Sequence, residues 1–273
     1  MATDKKILLI TGGNTGLGLE AVKALCQSPN AYEIIIGCRT VSKGDDAITE
    51  VKKQVPQTAS TLSTLQVDLE SDESLEKAVA DISSKHGRLD VLINNGGASF
   101  DYDILNGKMS LREGFNASWN VNVTGTHILT TLAVPLLLKS SDPRLIFIAS
   151  GTATLAETER TDAPALQRIN ASPPAGWPKE AVGMATTAYR SSKTGLNMLM
   201  REWRRTLLND GVKVWAVSPG FLATGLAGIG AERLRQMGAL DPSIGGNFLK
   251  DVVEGKRDHD EGKVIRKDMI QPY

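Results

Sequence analysis

Residues 11–18 read TGGNTGLG, from Thr11 to Gly18, and set Gly12, Gly16 and Gly18 directly behind the apolar run of residues 7–10. Glycine loses the most backbone freedom on folding, so a cluster of this kind marks either a positive φ or the close approach of another group. Ile7, Leu8, Leu9 and Ile10 read as a buried strand, and Leu17, Ala21, Val22 and Leu25 recur at helical spacing beyond the glycines. The stretch is therefore a strand, a glycine turn and a helix. The free N–H groups at such a helix start favour phosphate, and a dinucleotide is the leading ligand, although any tight strand-to-helix turn can also use glycine.

Working outward, apolar and amphipathic segments alternate. Residues 33–36 read as strand, 42–55 as helix, 64–67 as strand, 71–86 as helix and 89–93 as strand. A helix over about 110–138, a strand over 145–148, a helix over about 186–208, a strand over 212–217 and a short one over 263–265 complete the series. Strands separated by helices predict an α/β fold, a doubly wound parallel sheet with helices on both faces. The 273 residues fit one domain, 1–273, in which residues 151–183 are irregular and residues 221–246 form a glycine-containing loop.

Composition narrows the function classes. The 31 basic and 31 acidic side chains cancel, so neither a nucleic-acid partner nor an anionic membrane surface is expected, and the partner is a small molecule. The longest apolar stretch, residues 129–138, is about half a bilayer span and holds Pro135. With no signal-peptide pattern and two cysteines, Cys26 and Cys38, the expected location is the cytoplasm, with reduced thiols. The three histidines are scattered away from cysteines and carboxylates, so no metal site is expected.

Every distinctive motif falls at or just beyond the end of a strand, where ligands of such sheets bind. Asn94, Asn95, Gly96 and Gly97 follow the fourth strand, Ser150 the fifth, and Ser218, Pro219 and Gly220 the sixth. Tyr189 and Lys193 stand four residues apart on one helix and so share a face. A tyrosine hydroxyl titrates near ~10, and a neighbouring ammonium favours its ionised form, moving it toward the range useful in acid–base catalysis. Taken singly, Ser150 could merely turn the strand end and the Tyr189–Lys193 spacing could be coincidence.

In combination these motifs resemble those of the short-chain dehydrogenase/reductase family over nearly the whole chain, most closely its carbonyl-reductase-type members, especially fungal ones. The family's T-G-x-x-x-G-x-G is matched by Thr11, Gly12, Gly16 and Gly18, and its N-N-A-G by residues 94–97, with Gly96 in place of alanine. Asp68, Asn122 in VNVTG, Ser150, the Y-x-x-x-K pair Tyr189 and Lys193, and the turn at Pro219 and Gly220 complete the pattern.

The resemblance implies a Rossmann-fold oxidoreductase that interconverts a ketone or aldehyde and its alcohol with NADP(H). Tyr189 would be the general acid, Ser150 would polarise the carbonyl, Lys193 would lower the tyrosine pKa and hold the nicotinamide ribose, and Asn122 would position a water. Coenzyme contacts are expected from Gly12, Asn14, Thr15, Gly16, Leu17, Gly18, Arg39, Asp68, Leu69, Asn95, Gly96 and Gly97, from Tyr189 and Lys193, and from Pro219, Gly220, Leu222 and Thr224. Residues 37–40 read GCRT, so a basic Arg39 stands where NAD-specific sites place a carboxylate, and its planar fork suits a 2′-phosphate. The interval between Ser150 and Tyr189 is about three times that of many members, and this insertion predicts a monomer. Two rival readings stay open: an NADP-binding regulatory or scaffold protein, and a non-redox auxiliary step of a secondary-metabolite pathway.

Overall fold

The computed structural model describes residues 5–179 and 186–273. Seven strands, β1 (Lys6–Thr11), β2 (Tyr32–Cys38), β3 (Thr61–Gln66), β4 (Val91–Asn94), β5 (Arg144–Ile148), β6 (Lys213–Val217) and β7 (Val264–Ile265), form one sheet in the order β3-β2-β1-β4-β5-β6-β7. Every pairing is parallel. The doubly wound α/β expectation is met, and the order reverses between β1 and β4, which opens a crevice at their carboxyl ends.

Alternate residues of each strand serve opposite layers, as the pleat requires. Leu8 and Ile10 face one layer together with Val22, Leu25, Val51 and Leu249, which lie on α1 (Gly16–Cys26), α2 (Val41–Gln54) and α10 (Pro242–Val253). Ile7 and Leu9 face the other with Leu75, Leu136 and Met200, which lie on α3 (Asp72–His86), α6 (Thr126–Leu137) and α8 (Thr187–Leu207). Each such fully buried aliphatic side chain contributes about 1.5–3 kcal/mol of transfer free energy. Four further helices, α4 (Asp101–Leu105), α5 (Leu111–Trp119), α7 (Pro164–Asn170) and α9 (Ala231–Gln236), lie outside these layers.

Three local results differ from the sequence expectations. The helix over 110–138 is interrupted by a π-helical turn, Asn120–Gly125, between α5 and α6. A Cβ at Gly125 would lie 1.9 Å from the Leu69 carbonyl oxygen, so the turn packs directly on the loop after β3. The segment 221–246 is not one loop: α9 occupies part of it, and from Pro242 onward it is α10, started by Asp241 accepting from Ser243 N at 2.9 Å. Gly246 there lets α10 ride on α1, since a Cβ would come within 2.5 Å of the Glu20 backbone. Within the irregular segment 151–183, α7 and a 3₁₀ turn at Gly151–Ala153 are formed, and residues 180–183 fall outside the described residues.

Candidate active site

The glycine turn is built as its sequence demands. Gly12 and Gly16 have φ of 63° and 53°, left-handed values that a side chain rarely tolerates. Gly18 is tight for another reason: a Cβ there would sit 2.3 Å from Gly12 O and 2.6 Å from Asn95 Nδ2. Asn95 Nδ2 donates to Thr11 O at 2.8 Å and Gly96 N donates to Thr11 Oγ1 at 2.7 Å, clamping the ends of β1 and β4 together. Thr15 stands at the N-cap of α1 and makes no side-chain cap, which leaves first-turn N–H groups for a ligand.

Around this turn lie the other expected coenzyme contacts. A Cβ on Gly16 would touch Thr224 at 3.4 Å, and one on Gly245 would meet Leu222, Leu17 and Pro219 within 3.3 Å. The segment after β6 therefore folds over the start of α1, with Gly220 in the turn at φ 103°. Arg39 is exposed, and a cavity of about 360 Å³ is bordered by Asn14, Thr15, Lys43, Asp46, Ala47 and Glu50. Asp68 is half-buried and its Oδ1 accepts from Glu70 N at 3.1 Å. A methyl on Gly96 would lie 3.0 Å from Leu69 Cδ1 and 3.1 Å from Thr11 Oγ1, so Leu69 already fills the space.

Asn122, Ser150, Tyr189 and Lys193 converge beside these loops. Asn122 sits on the π-helical turn, where it is buried, its Oδ1 accepting from Ala98 N at 2.9 Å and its Nδ2 donating to Ala98 O and Ser192 Oγ at 2.8 and 3.0 Å. Lys193, also buried, donates from Nζ to Ile148 O at 2.7 Å. A Cβ on Gly97 would meet Asn122 Oδ1 at 2.9 Å and Lys193 Nζ at 3.3 Å, which places both groups against that glycine. Ser150 Oγ accepts from Thr152 N at 3.2 Å, pairs with Thr152 Oγ1 at 2.8 Å and shares a hydrogen bond with Tyr189.

The electrostatics qualify one expectation. Burial pushes the Tyr189 phenol up to about 12, and the opposing influence is the hydrogen bond with Ser150. Lys193, expected to be the group that lowers it, lies with Nζ 5.8 Å from the Tyr189 ring centroid and is turned toward the Ile148 carbonyl. Burial brings Lys193 itself down to about 8, because charge is costly in a low-dielectric site.

Several residues of the site were missed by motif reading. Asp101 on α4 is buried and caps α8 from outside, accepting from Ala188 N and Tyr189 N at 2.9 Å each. Ser192 bridges Asn122 to the Tyr189 carbonyl, to which it donates at 2.8 Å. Its place three residues after Tyr189, on the same helix face, was legible as a signal. Arg190 holds Thr152 O, Ile169 O and Asn170 Oδ1 at 2.8–3.0 Å, fastening α7 to the helix of Tyr189. Across the mouth, Arg168 donates to Met237 O at 3.0 Å, and Tyr102 approaches Gly228.

The chain matches the family model of the short chain dehydrogenase over residues 6–161 and 175–233. It is 46% identical over 281 residues to the short-chain dehydrogenase/reductase eupG of a Phoma species, covering 100% of this chain and 99% of that one. The short-chain dehydrogenase/reductase tropE of Talaromyces stipitatus is 44% identical over 272 residues, covering 99% of each. In fold, it is similar to the NADPH-bound carbonyl reductase from chicken fatty liver, with a TM-score of 0.76 at 21% identity over 98% of this chain and 99% of that one. The actinorhodin polyketide ketoreductase with NADPH gives 0.70 at 19% identity over 98% and 97%. Among the described residues, no helix is long and apolar enough to cross a membrane, and no cluster of histidine, cysteine and carboxylate could hold a metal ion.

Proposed function

The chain belongs to the short-chain dehydrogenase/reductase family, and from that premise we propose that it is an NADPH-dependent reductase of an apolar ketone or aldehyde. The observation that carries this reading is the convergence of Ser150, Tyr189, Lys193 and Asn122 beside the glycine turn of β1. A scaffold that merely bound a dinucleotide could use Lys193 on the ribose, but it would have no use for a phenol hydrogen-bonded to Ser150 beside it.

The residues fit a nicotinamide dinucleotide: the uncapped start of α1, reached through the left-handed turn at Gly12 and Gly16, suits a pyrophosphate, with Asn14, Thr15 and Leu17 around it. Arg39, exposed and with no carboxylate at its position, is the group assigned to the 2′-phosphate. Asp68 and Leu69 would border the adenine, Asn95, Gly96 and Gly97 the ribose, and Pro219, Gly220, Leu222 and Thr224 the nicotinamide side. When bound, the reduced coenzyme supplies the hydride.

The chain's own groups handle the proton. Tyr189 carries it at neutral pH, since burial holds the phenol protonated, and delivers it to the substrate oxygen. Ser150 holds the same oxygen and stabilises charge developing there. The cation of Lys193, 5.8 Å from the ring, favours the phenolate left behind. Asn122, pinned through both ends of its amide, keeps the α5–α6 turn against Gly97 and Lys193.

Leu226 and Tyr102, both exposed, with Tyr102 approaching Gly228, favour an apolar substrate. The test is NADPH consumption by purified protein against aldehydes, aryl ketones, diketones and quinones. Turnover of at least one class is expected, and oxidation of none overturns the reading.

A further inference from the structure

The segment after β7 doubles back on itself and reaches the site. Ile265 and Ile270 form an antiparallel bridge, Arg266 N donates to Met269 O at 2.8 Å, and Gln271 N donates to Val264 O at 2.8 Å. This hairpin covers the outer edge of β7 and brings Gln271, which is 0% exposed, against the backbone of residue 150. Gln271 Nε2 donates to Ser150 O at 3.1 Å, while its Oε1 accepts from Arg266 Nε at 3.0 Å.

The orientation of that amide is dictated. A guanidinium only donates, so Arg266 requires the oxygen of Gln271 on its side and leaves the NH₂ facing Ser150. Arg266 is itself fixed by a two-pronged pair with the buried carboxylate of Glu157, and its second terminal nitrogen reaches Gly151 O at 3.4 Å. Ala156 N donates to Tyr273 O at 2.8 Å. The loop that starts at Ser150 is thus stitched to the hairpin at residues 150, 151, 156 and 157. Its other side is tied to α8 by Arg190 on Thr152 O and by Thr194 Oγ1 on Ala153 O at 3.1 Å.

The consequence concerns the Ser150 hydroxyl, whose direction follows from the peptide that carries it. Oγ is aligned by Thr152 Oγ1 and N, which follow the residue-150 carbonyl in the chain, so a rotation of that carbonyl would carry Thr152 away and release Oγ from its direction toward Tyr189. We propose that Gln271, oriented by Arg266, is a positioning residue that sets the Ser150 hydroxyl for the substrate oxygen, which makes the hairpin 264–273 part of the active site. The inference rests on the reading of Ser150 as the group that holds that oxygen.

The test is a double-mutant cycle with phenanthrenequinone, an apolar diketone, as the substrate. Gln271→Met keeps the shape and removes both hydrogen bonds. Its kcat should fall about fivefold, the scale of one net hydrogen bond, with NADPH affinity from fluorescence unchanged. Gln271→Glu keeps the contact with Arg266 and sets an acceptor against the Ser150 carbonyl, so its kcat should fall further. In a Ser150→Ala background, Gln271→Met should cost nothing more, because the group it positions is gone. An unchanged kcat in Gln271→Met, or an equal fractional loss with and without Ser150, overturns the proposal while leaving the reductase reading intact. Full activity of Ser150→Ala alone overturns the reading of Ser150 and the proposal with it.

Discussion

The two ends of the sheet use polar residues in opposite ways. At the amino ends of β1, β5 and β6, Lys6, Arg144 and Lys213 surround Asp142, and Asp258 takes two bonds from Arg144 and one from Lys213. These contacts hold the Asp142 carboxyl far below its usual range and depress Asp258 as well. At the carboxyl ends, Asn94 Oδ1 and Ser218 Oγ are buried without a hydrogen-bond partner, Tyr189 is pushed up and Lys193 down. Paired charges at the floor fix the strands. The shifted groups at the roof are those assigned to the chemistry.

The sharpest way to separate the ends is to remove one group from each. Tyr189→Phe takes away the proton donor and should lower kcat by about 10³-fold, within the range of general acid catalysis, with the melting temperature and NADPH binding preserved. A near-normal rate would break the assignment of roles to the roof. Arg144→Met should do the reverse. It strips Asp142 and Asp258 of one of the two cations they share and removes the cation stacked 5.5 Å from Trp215, costing about 3 kcal/mol of unfolding free energy by denaturant titration. NADPH affinity of the folded fraction should not change. A stable Arg144→Met protein would show that Lys6 and Lys213 suffice.

Arg39→Ala tests the outermost part of the roof. Loss of charge-assisted bonds to a 2′-phosphate should weaken NADPH binding by about 1.5–3 kcal/mol, one to two decades, with a much smaller effect on NADH. Equal losses for both coenzymes would remove Arg39 from the site.

The stability of the floor should fail in acid, and the activity of the roof in alkali. Asp142 and Asp258 have lowered folded-state pKa values, so their contribution to stability is complete above the ordinary aspartate range and is lost as pH falls through the folded values. Lys193 acts with the same sign in a higher window: its folded value near 8 lies below the ordinary lysine value, so the unfolded chain binds more protons between the two and stability rises with pH there. Reduction, which uses the ammonium, should decline above about pH 8, and in Lys193→Met the rate should be low and lack this limb. A reductive profile flat from pH 7 to 10 would contradict that use of Lys193.

The smallest expected effect is that of Gly96→Ala. Its methyl meets a movable Leu69 Cδ1 at 3.0 Å and Thr11 at 3.1 Å, so stability should drop by about 1 kcal/mol in thermal melts. A collapse of folding would mean that Leu69 cannot shift.

The alternating fold was legible because strand and helix periods repeat over short distances, and the elements found fall close to their expected positions. So was the core of the site. Gly12, Gly16 and Gly18 declare their turn locally, and Tyr189 and Lys193 share a face through the helical repeat alone. Even the Ser71 cap of α3, accepting from Ser74 N at 3.2 Å, follows from four consecutive residues.

What the sequence left undecided joins residues far apart in the chain. Asp101 lies in a five-residue helix with no periodic signal, yet it caps the helix of Tyr189, and Gln271 reaches back to Ser150. The π-helical turn that seats Asn122 depends on the close approach of Leu69, and the start of α10 was hidden among residues whose glycines suggested a loop. Spacing placed Lys193 near the phenol, whereas the burial that pushes Tyr189 up and its hydrogen bond with Ser150 arise only in the fold. The chain by itself determined which groups are present and which neighbours share a face, since those follow from backbone geometry over a few residues. Only the packing of sheet, helices and hairpin decided which of them lose water and which polar partners they meet, because desolvation and long-range hydrogen bonds exist only once the layers close.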